Sequence, residues 1–198
     1  MDVWCTFNFR HVLIIKGKVI LTDQEFLIAN VYAPCDMTAK QELWARSSHF
    51  IINIGDANVC VCGDFNSVRS ADERRGRNVV FQQVDADNFN NFIDVSFLLD
   101  LPICGRLFTW YRGDGISMSR LDRFLVSAKW TESWPNSTQV AHQRGLSDHV
   151  PLVLSVDDLN WGSRPLRMMK CWADYQGYAE FVRGKLNSFF LDGWGGLL

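Results

Sequence analysis

Runs of β-branched and apolar residues predict two β-strands near the start of the chain. Val12 to Ile15 and Glu25 to Tyr32 have this composition, and Lys16-Gly17-Lys18 between them is typical of a turn. Pro34 ends the second strand, because proline has no N–H to donate to a neighbouring strand. Both predicted strands therefore precede a polar segment that leads into a helix.

Apolar residues then recur at helical spacing, and polar residues separate them. Thr38 can cap a helix that runs to about Ile54. The segment Val59 to Cys62 is short and entirely apolar, which predicts a buried strand. A second helix is expected in VDADNFNNFIDVSFLLDL, with a stop at Pro102, and a short third helix in AKWTESW.

Four further segments predict strands and complete the pattern. They are RLFTWYRG, SRLDRFLVS, STQVAHQ and VPLVLSV. Strands that alternate with amphipathic helices favour an α/β fold, in which helices cover the faces of sheets. After about Asp157 strand signals are few, and one helix is predicted, roughly Gln176 to Phe190. We therefore divide the chain into a domain of residues 1–157 and a C-terminal extension of residues 158–198.

Composition and charge narrow the class of protein. The net charge is −2, so any contact with nucleic acid must come from a local basic patch. The spacing of the six cysteines suits neither a disulfide framework nor paired zinc sites, which favours reduced thiols. The apolar runs fall short of the ~20 residues that span a bilayer, and the N-terminus is a poor secretion signal. We expect a nuclear or cytoplasmic protein that is neither secreted nor in a membrane.

Polar side chains stand at the predicted strand ends, where a packed core does not require them. They are Asn30, Tyr32, Asp64, Asn66, Asp122, Asp148 and His149. Functional groups of layered α/β folds collect at strand ends, on loops that a rigid scaffold holds. Such a set suits metal-assisted phosphoryl chemistry. Carboxylates hold a divalent cation, an aspartate can deprotonate a water, and histidine or asparagine can donate to phosphate oxygens.

Each of these residues also has a purely structural interpretation. Asp64 and Asn66 can form an Asx-turn, Asp122 can pair with a neighbouring arginine, and His149 can be a hydrogen-bonded core histidine. The arginines after Asn66 can belong to a solvated loop or can rim the site and contact nucleic acid. These arginines are Arg69, Arg74, Arg75 and Arg77. The functional interpretation depends on the combination of residues and on their order.

Four ordered motifs, NVYAP, GDFN, SRLDRFLVS and SDHVPL, resemble the endonuclease/exonuclease/phosphatase family over roughly residues 10–157. This family includes the apurinic/apyrimidinic endonucleases and pancreatic deoxyribonuclease. The segments FTW, ERRG and RPLRMMKCWADYQGYAEFV resemble the endonuclease domain of plant LINE-type non-LTR retrotransposons. The resemblance implies a four-layer α-β-β-α sandwich that cleaves DNA with Mg²⁺, or with Mn²⁺ as the alternative ion. It also implies a reverse transcriptase domain in the full-length element.

The resemblance further implies a role for each candidate residue. Tyr32 resembles the tyrosine that contacts the scissile phosphate, and Asn66 resembles the amide that holds the same phosphate. Asp64 resembles the acid that activates the attacking water. Asp122 resembles the acid that orients the catalytic histidine, here His149, so these two side chains should be hydrogen-bonded.

Asp148 resembles the acid near the metal, but the family's principal metal ligand has no counterpart here. Family domains begin with a strand that ends in Asn and a motif that supplies a metal-binding Glu, and neither precedes Tyr32. We therefore expect a sandwich without its first strands, an incomplete metal site and impaired nicking. Three functions stay open: a monomeric DNA endonuclease, an inactive remnant that keeps the fold, and a phosphatase acting on a small phosphoester.

Overall fold

The computed structural model describes residues 1–77, 80–156 and 177–187. Contacts divide the chain into two compact units, Met1–Asp158 and Leu159–Leu198. In the second unit, helix α4 (Tyr178–Asn187) lies within the range predicted for it. Apart from this helix and Gly177, the predicted C-terminal extension lies outside the described residues. The strands of the first unit are β1 (Asp2–Phe9), β2 (Val12–Lys18), β3 (Glu25–Tyr32), β4 (Val59–Asp64), β5 (Arg74–Arg75), β6 (Leu98–Asp100), β7 (Ile103–Cys104), β8 (Trp110–Tyr111), β9 (Met118–Ser119), β10 (Asp122–Ser127), β11 (Ser137–Ala141) and β12 (Leu152–Val156). Its helices are α1 (Met37–Ile54), α2 (Gln83–Val95) and α3 (Ala128–Ser133).

The main sheet has the order β1-β2-β3-β4-β10-β6, and its strand β1 has no counterpart among the predicted strands. The turn predicted at Lys16-Gly17-Lys18 is wrong, because β2 continues through Lys18 and the chain reverses between Val19 and Gln24. A Cβ on Gly17 would lie 2.2 Å from the backbone oxygen of Asp2. This glycine therefore permits the close approach of β1 rather than a turn.

Alternating side chains give the main sheet two apolar faces. Leu27, Ala29 and Val31 of β3 pack against α1 and α2. Phe26 and Ile28 point to the other face, where Leu154 of β12 packs. Strand β4 is buried on both faces, which explains its continuous apolar run.

Two helix boundaries differ from the predicted ones. Helix α1 is capped by Asp36, whose carboxylate accepts from the N–H of Ala39 at 2.8 Å, rather than by Thr38. Helix α2 ends at Val95, well before Pro102. The chain turns at Phe97, which has a φ of 51°, and Leu98–Asp100 then pairs with β10. Pairing with an existing strand decides this boundary, and local periodicity does not show it.

Two smaller sheets complete the first unit. One has the order β12-β11-β7, and the other has the order β5-β9-β8. Helices α1 and α2 lie on one face of the main sheet, and β12 and Trp130 of α3 pack on its other face, so the predicted layered α/β sandwich is confirmed. Among the described residues, no helix has the length and apolar character needed to cross a membrane.

Candidate active site

Asp64 lies at the end of β4, and strand pairing explains why a buried strand ends in a carboxylate. Asp64 pairs with Asp122 on β10 and with Tyr32 on β3. Residues at two-residue spacing share one face of a strand, so Asp64 follows Cys60 and Cys62 on the face toward β12. Register thus places two aspartates side by side at the same edge of the sheet.

Gly63 makes this arrangement sterically feasible. Its φ is 126°, and a Cβ at this position would lie 2.0 Å from the carbonyl oxygen of Val31. Any other residue would therefore push β4 away from β3 immediately before Asp64. The glycine in the GDFN motif is explained by this close approach.

Asp122 and His149 form the hydrogen-bonded pair that the sequence predicts. Nδ1 of His149 lies 2.9 Å from Oδ2 of Asp122. A carboxylate only accepts hydrogen bonds, so Nδ1–H donates and Nε2 is left to face the site. Nε2 lies 3.9 Å from Oδ2 of Asp64. The imidazole of His149 therefore lies between the two carboxylates.

This geometry shifts the pKa of both Asp64 and His149 upward. Burial raises the pKa of Asp64 and outweighs the hydrogen bond from the N–H of Asn66. Burial alone would lower the pKa of His149. The hydrogen bond to Asp122 and the charges of Asp122, Asp64 and Asp148 outweigh it, so this pKa is raised. The site thus favours a protonated imidazole beside an aspartate that is more basic than usual.

Asn66 and Tyr32 lie at the same strand ends. The N–H of Asn66 donates to Oδ1 of Asp64 at 2.9 Å, so the Asx-turn considered from the sequence is present in the site itself. Asn66 has a φ of 48°, and its Nδ2 donates to the carbonyl of Ala33 at 2.7 Å. Tyr32 is 70% exposed, and its backbone N–H and carbonyl are both bonded to His11. The tyrosine side chain is therefore presented to solvent from a fixed backbone.

Asp148 is exposed and is held by a tryptophan. The indole Nε1–H of Trp110 donates to its Oδ2 at 3.0 Å, and this bond is the main cause of its lowered pKa. The backbone oxygen of Asp148 accepts from the N–H of Tyr111 at 2.9 Å. Trp110 thus orients the acid next to His149.

Thr109 supports the site, and the sequence motifs alone did not predict this role. It is fully buried, and its hydroxyl oxygen accepts from the backbone N–H groups of Leu121 and Asp122, both at 2.9 Å. Its carbonyl accepts from the N–H of Val150 at 2.7 Å. Thr109 therefore connects the backbones on which both members of the Asp122–His149 pair stand. The only signal was its place in the FTW triplet.

The four candidate arginines have different surroundings. Arg69 donates through Nε to Asn90 at 2.8 Å and pairs with Asp100 at 3.3 Å. Arg74 is partly buried and donates to Ser119 at 3.1 Å, whereas Arg75 and Arg77 are exposed. The structure therefore does not bring the four guanidinium groups into one free patch, and Arg75 and Arg77 present the most accessible charge.

A buried ion cluster lies beneath the loop that carries these arginines. Arg123 is fully buried and contacts Glu73 and Asp100, and Arg120 pairs with the same two acids. We define the ion cluster as Arg69, Glu73, Asp100, Arg120 and Arg123. The charged loop predicted as solvated or DNA-binding is thus anchored to β10 through Glu73.

The described residues do not gather a complete set of metal ligands. Among them, no group of three or more His, Cys, Asp or Glu side chains is placed to hold an ion. Asp148 already accepts a hydrogen bond from Trp110, and Asp122 is occupied by His149. The role of Asp148 as a metal ligand stays a prediction.

Solved structures with a similar fold include a phosphatase and two endonucleases. A 3′ phosphatase, NExo, from Neisseria bound to a product DNA hairpin is 20% identical, with a TM-score of 0.56, over 75% of this chain and 65% of its own. The endonuclease domain of TRAS1, a telomere-specific non-LTR retrotransposon, is 16% identical (TM-score 0.55), over 73% and 62%. The AP endonuclease LMAP from Leishmania major is 13% identical (TM-score 0.57), over 73% and 54%.

At these identities the likeness establishes the fold alone, and the chain spans less than two thirds of each of these structures. The comparison with curated proteins gives no match. Family models give a direct result, since residues 18–149 match the model described as "Endonuclease/Exonuclease/phosphatase family". Enzymes of this family are generally dependent on a divalent metal. The matched segment contains the paired strand ends with Asp64 and Asp122 as well as His149, and the chain belongs to the endonuclease/exonuclease/phosphatase family.

Proposed function

We propose that this chain is a phosphodiesterase that cleaves DNA at the site formed by Asp64, Asp122 and His149. The observation that carries the proposal is the Asp122–His149 hydrogen bond at 2.9 Å, with Asp64 on the opposite side of the imidazole. A histidine that is oriented by one carboxylate, faces a second and is partly exposed is suited to phosphoryl transfer.

In the proposed reaction, Asp64 accepts a proton from a water as that water attacks phosphorus. The bond from phosphorus to the leaving oxygen breaks, and the leaving oxygen takes a proton from solvent water. Protonated His149 donates through Nε2 to a phosphate oxygen and stabilises the charge that develops there. Asp122 keeps the imidazole in the required orientation. Asn66 and Tyr32 contact the phosphate from the neighbouring strand ends. A divalent cation, where one binds near Asp148, would supply further charge neutralisation.

An assay that measures single-strand nicks in supercoiled plasmid tests this proposal directly. Asp64 must be deprotonated, so the rate should fall as the pH drops through its raised pKa. His149 must be protonated, so the rate should also fall as the pH rises through its raised pKa. We expect a bell-shaped dependence of the nicking rate on pH, and the rate is measured with and without EDTA. Asp122→Asn should move the alkaline limb to lower pH, because it removes the charge that keeps His149 protonated. A profile without an alkaline limb would contradict the assignment of His149.

Aromatic and basic side chains beside the site support DNA as the substrate. The guanidinium of Arg144 lies 5.3 Å from the centre of the Tyr111 ring, and the backbone of Tyr111 is bonded to Asp148. Strand β5 brings the exposed Arg75 next to Met118, which pairs with Tyr111. Phosphate backbones bind such positive side chains, and aromatic rings can stack on bases.

Replacing Arg75 and Arg144 together by alanine is expected to weaken duplex binding and its salt dependence. The slope of log K against log[salt] should decrease by about 0.9 for each phosphate that the variant no longer neutralises. Fluorescence anisotropy at several salt concentrations measures this slope. The matched control replaces Lys16 and Lys18 of β2, which form ion pairs with Glu25 and Asp23. If both double variants change the slope equally, the DNA-binding surface lies elsewhere.

We propose further that the chain derives from a LINE-type element, in which a reverse transcriptase domain is its partner in the full-length protein. The TRAS1 domain supports this context by its fold. A second candidate, a DNA-binding protein without catalysis, is favoured by the lack of a three-ligand metal cluster among the described residues. Duplex binding without pH-dependent nicking at any tested metal concentration would select that candidate.

A further inference from the structure

Lys40 of helix α1 is a charged residue that the proposed reaction does not use, although it lies directly beneath the site. It is only 5% exposed. Lysines are almost never buried to this extent unless their charge is paired. Its Nζ lies 2.9 and 3.0 Å from the two carboxylate oxygens of Asp85 on α2. The buried charge is therefore balanced by an acid from the neighbouring helix.

The ammonium of Lys40 also binds the turn that follows β4. Nζ donates to the backbone carbonyl of Asn66 at 2.6 Å and to the hydroxyl of Ser67 at 3.0 Å. An ammonium has three N–H donors, and the three acceptor groups are Asp85, Asn66 and Ser67. Each N–H donor of Lys40 thus has an acceptor, and two of the three acceptors lie in the turn that carries Asn66.

Hydrogen bonds hold Asn66 in its unusual backbone conformation. Its φ of 48° is left-handed, a region that asparagine visits as a single residue with the help of local hydrogen bonds. One N–H of its carboxamide donates to Ala33, and its backbone N–H donates to Asp64. The contact with Lys40 fixes the remaining backbone group, the carbonyl. The second N–H and the oxygen of the carboxamide are then left with no partner among the described residues and can contact a ligand.

We propose that Lys40, with Asp85 as its counter-ion, is a positioning residue that holds Asn66 in the geometry required to contact the scissile phosphate. This inference depends on the proposed function, because the role of the carboxamide belongs to it. Lys40 touches no reacting atom and acts through the turn. Its charge also helps to keep Asp64 ionised, opposing the effect of burial on the pKa of that carboxyl.

A double variant tests this role without leaving a buried charge unpaired. Lys40→Met with Asp85→Leu removes both charges and keeps apolar volume, a change that buried ion pairs often tolerate. The amide proton of Asn66 should exchange about tenfold faster in hydrogen-exchange NMR, whereas the amide of Val61 within β4 should not change. For nicking, kcat should fall about 10- to 100-fold and KM should stay within about twofold, because a misplaced group costs rate more than affinity.

The control is Ser48→Ala, which removes the buried hydrogen bond between Ser96 and Ser48 that also links the end of α2 to α1. It should leave both the Asn66 exchange rate and kcat unchanged. Unchanged Asn66 exchange in the double variant would overturn the positioning role, whatever the activity. If the unmodified chain does not nick DNA, the proposed function fails, and the exchange measurement still decides whether Lys40 fixes the turn.

Discussion

Replacing His149 by alanine is expected to lower the rate of DNA nicking by about 10²–10⁴-fold, the usual contribution of a positioned acid or base. The imidazole is the group between Asp122 and Asp64, at 2.9 and 3.9 Å, so its loss leaves two neighbouring carboxylates without the cation between them. The rate loss should therefore appear in kcat. Duplex affinity should change little, because the arginines proposed to bind the DNA backbone remain.

His142→Ala is the matched control for this variant. His142 lies in the same loop region and is exposed, and its backbone N–H donates to the carbonyl of Pro151. Its side chain has no place in the proposed reaction, so the control should nick DNA like the unmodified chain. Equal nicking by the His149 and His142 variants, in protein that is folded by circular dichroism, would refute the role of His149.

Replacing Arg123 by methionine is expected to destabilise the first unit by about 3–5 kcal/mol, which is the cost of removing one partner of a buried ion pair. The Arg123 side chain is 0% exposed, and its partners Glu73 and Asp100 are 11% and 7% exposed. Methionine fills much of the volume but leaves these acids with less positive charge in a place that water hardly reaches. This loss is a large part of the typical 5–15 kcal/mol of a domain. Urea unfolding followed by tryptophan fluorescence measures it.

Arg69→Met provides the comparison within the same ion cluster. Arg69 contacts Asp100 as well, but its side chain is 34% exposed, so solvent screens this interaction. We expect a markedly smaller loss of stability than for Arg123→Met. Similar losses for the two variants would show that burial of the pair does not control its contribution.

Much of the candidate site could be predicted because short motifs carry their own geometry. A buried apolar run followed by Gly63 and Asp64 already indicates a strand that ends in a functional carboxylate, and the Asx-turn of Asn66 follows from local spacing. The Asp122–His149 pair was predicted from the order of motifs that resemble a family, and the structure contains it. Local chemistry and motif order thus predicted the Asp122–His149 pair, and the roles of the other side chains stay predictions.

Other features depended on contacts between distant segments. Gly17 lies in a segment whose composition is typical of a turn, but its position beside the backbone of Asp2 places it inside a strand. The arginines of the charged loop looked equivalent in sequence, yet Arg69 joins a buried cluster and Arg75 remains exposed. Local patterns do not show which strand or acid will lie alongside a residue, because that depends on the assembled sheet.

The sequence by itself determined the alternation of strands and helices, the layered α/β class and the identity of the residues at the strand ends. Only the tertiary structure decided that Lys40 and Thr109 support those residues. Lys40 stands at an ordinary helical position and carries no local signal, and the only signal for Thr109 is its place in the FTW triplet. Their roles arise when α1, α2 and the strands around β10 pack together, because the acceptors and donors that they satisfy lie far away along the chain.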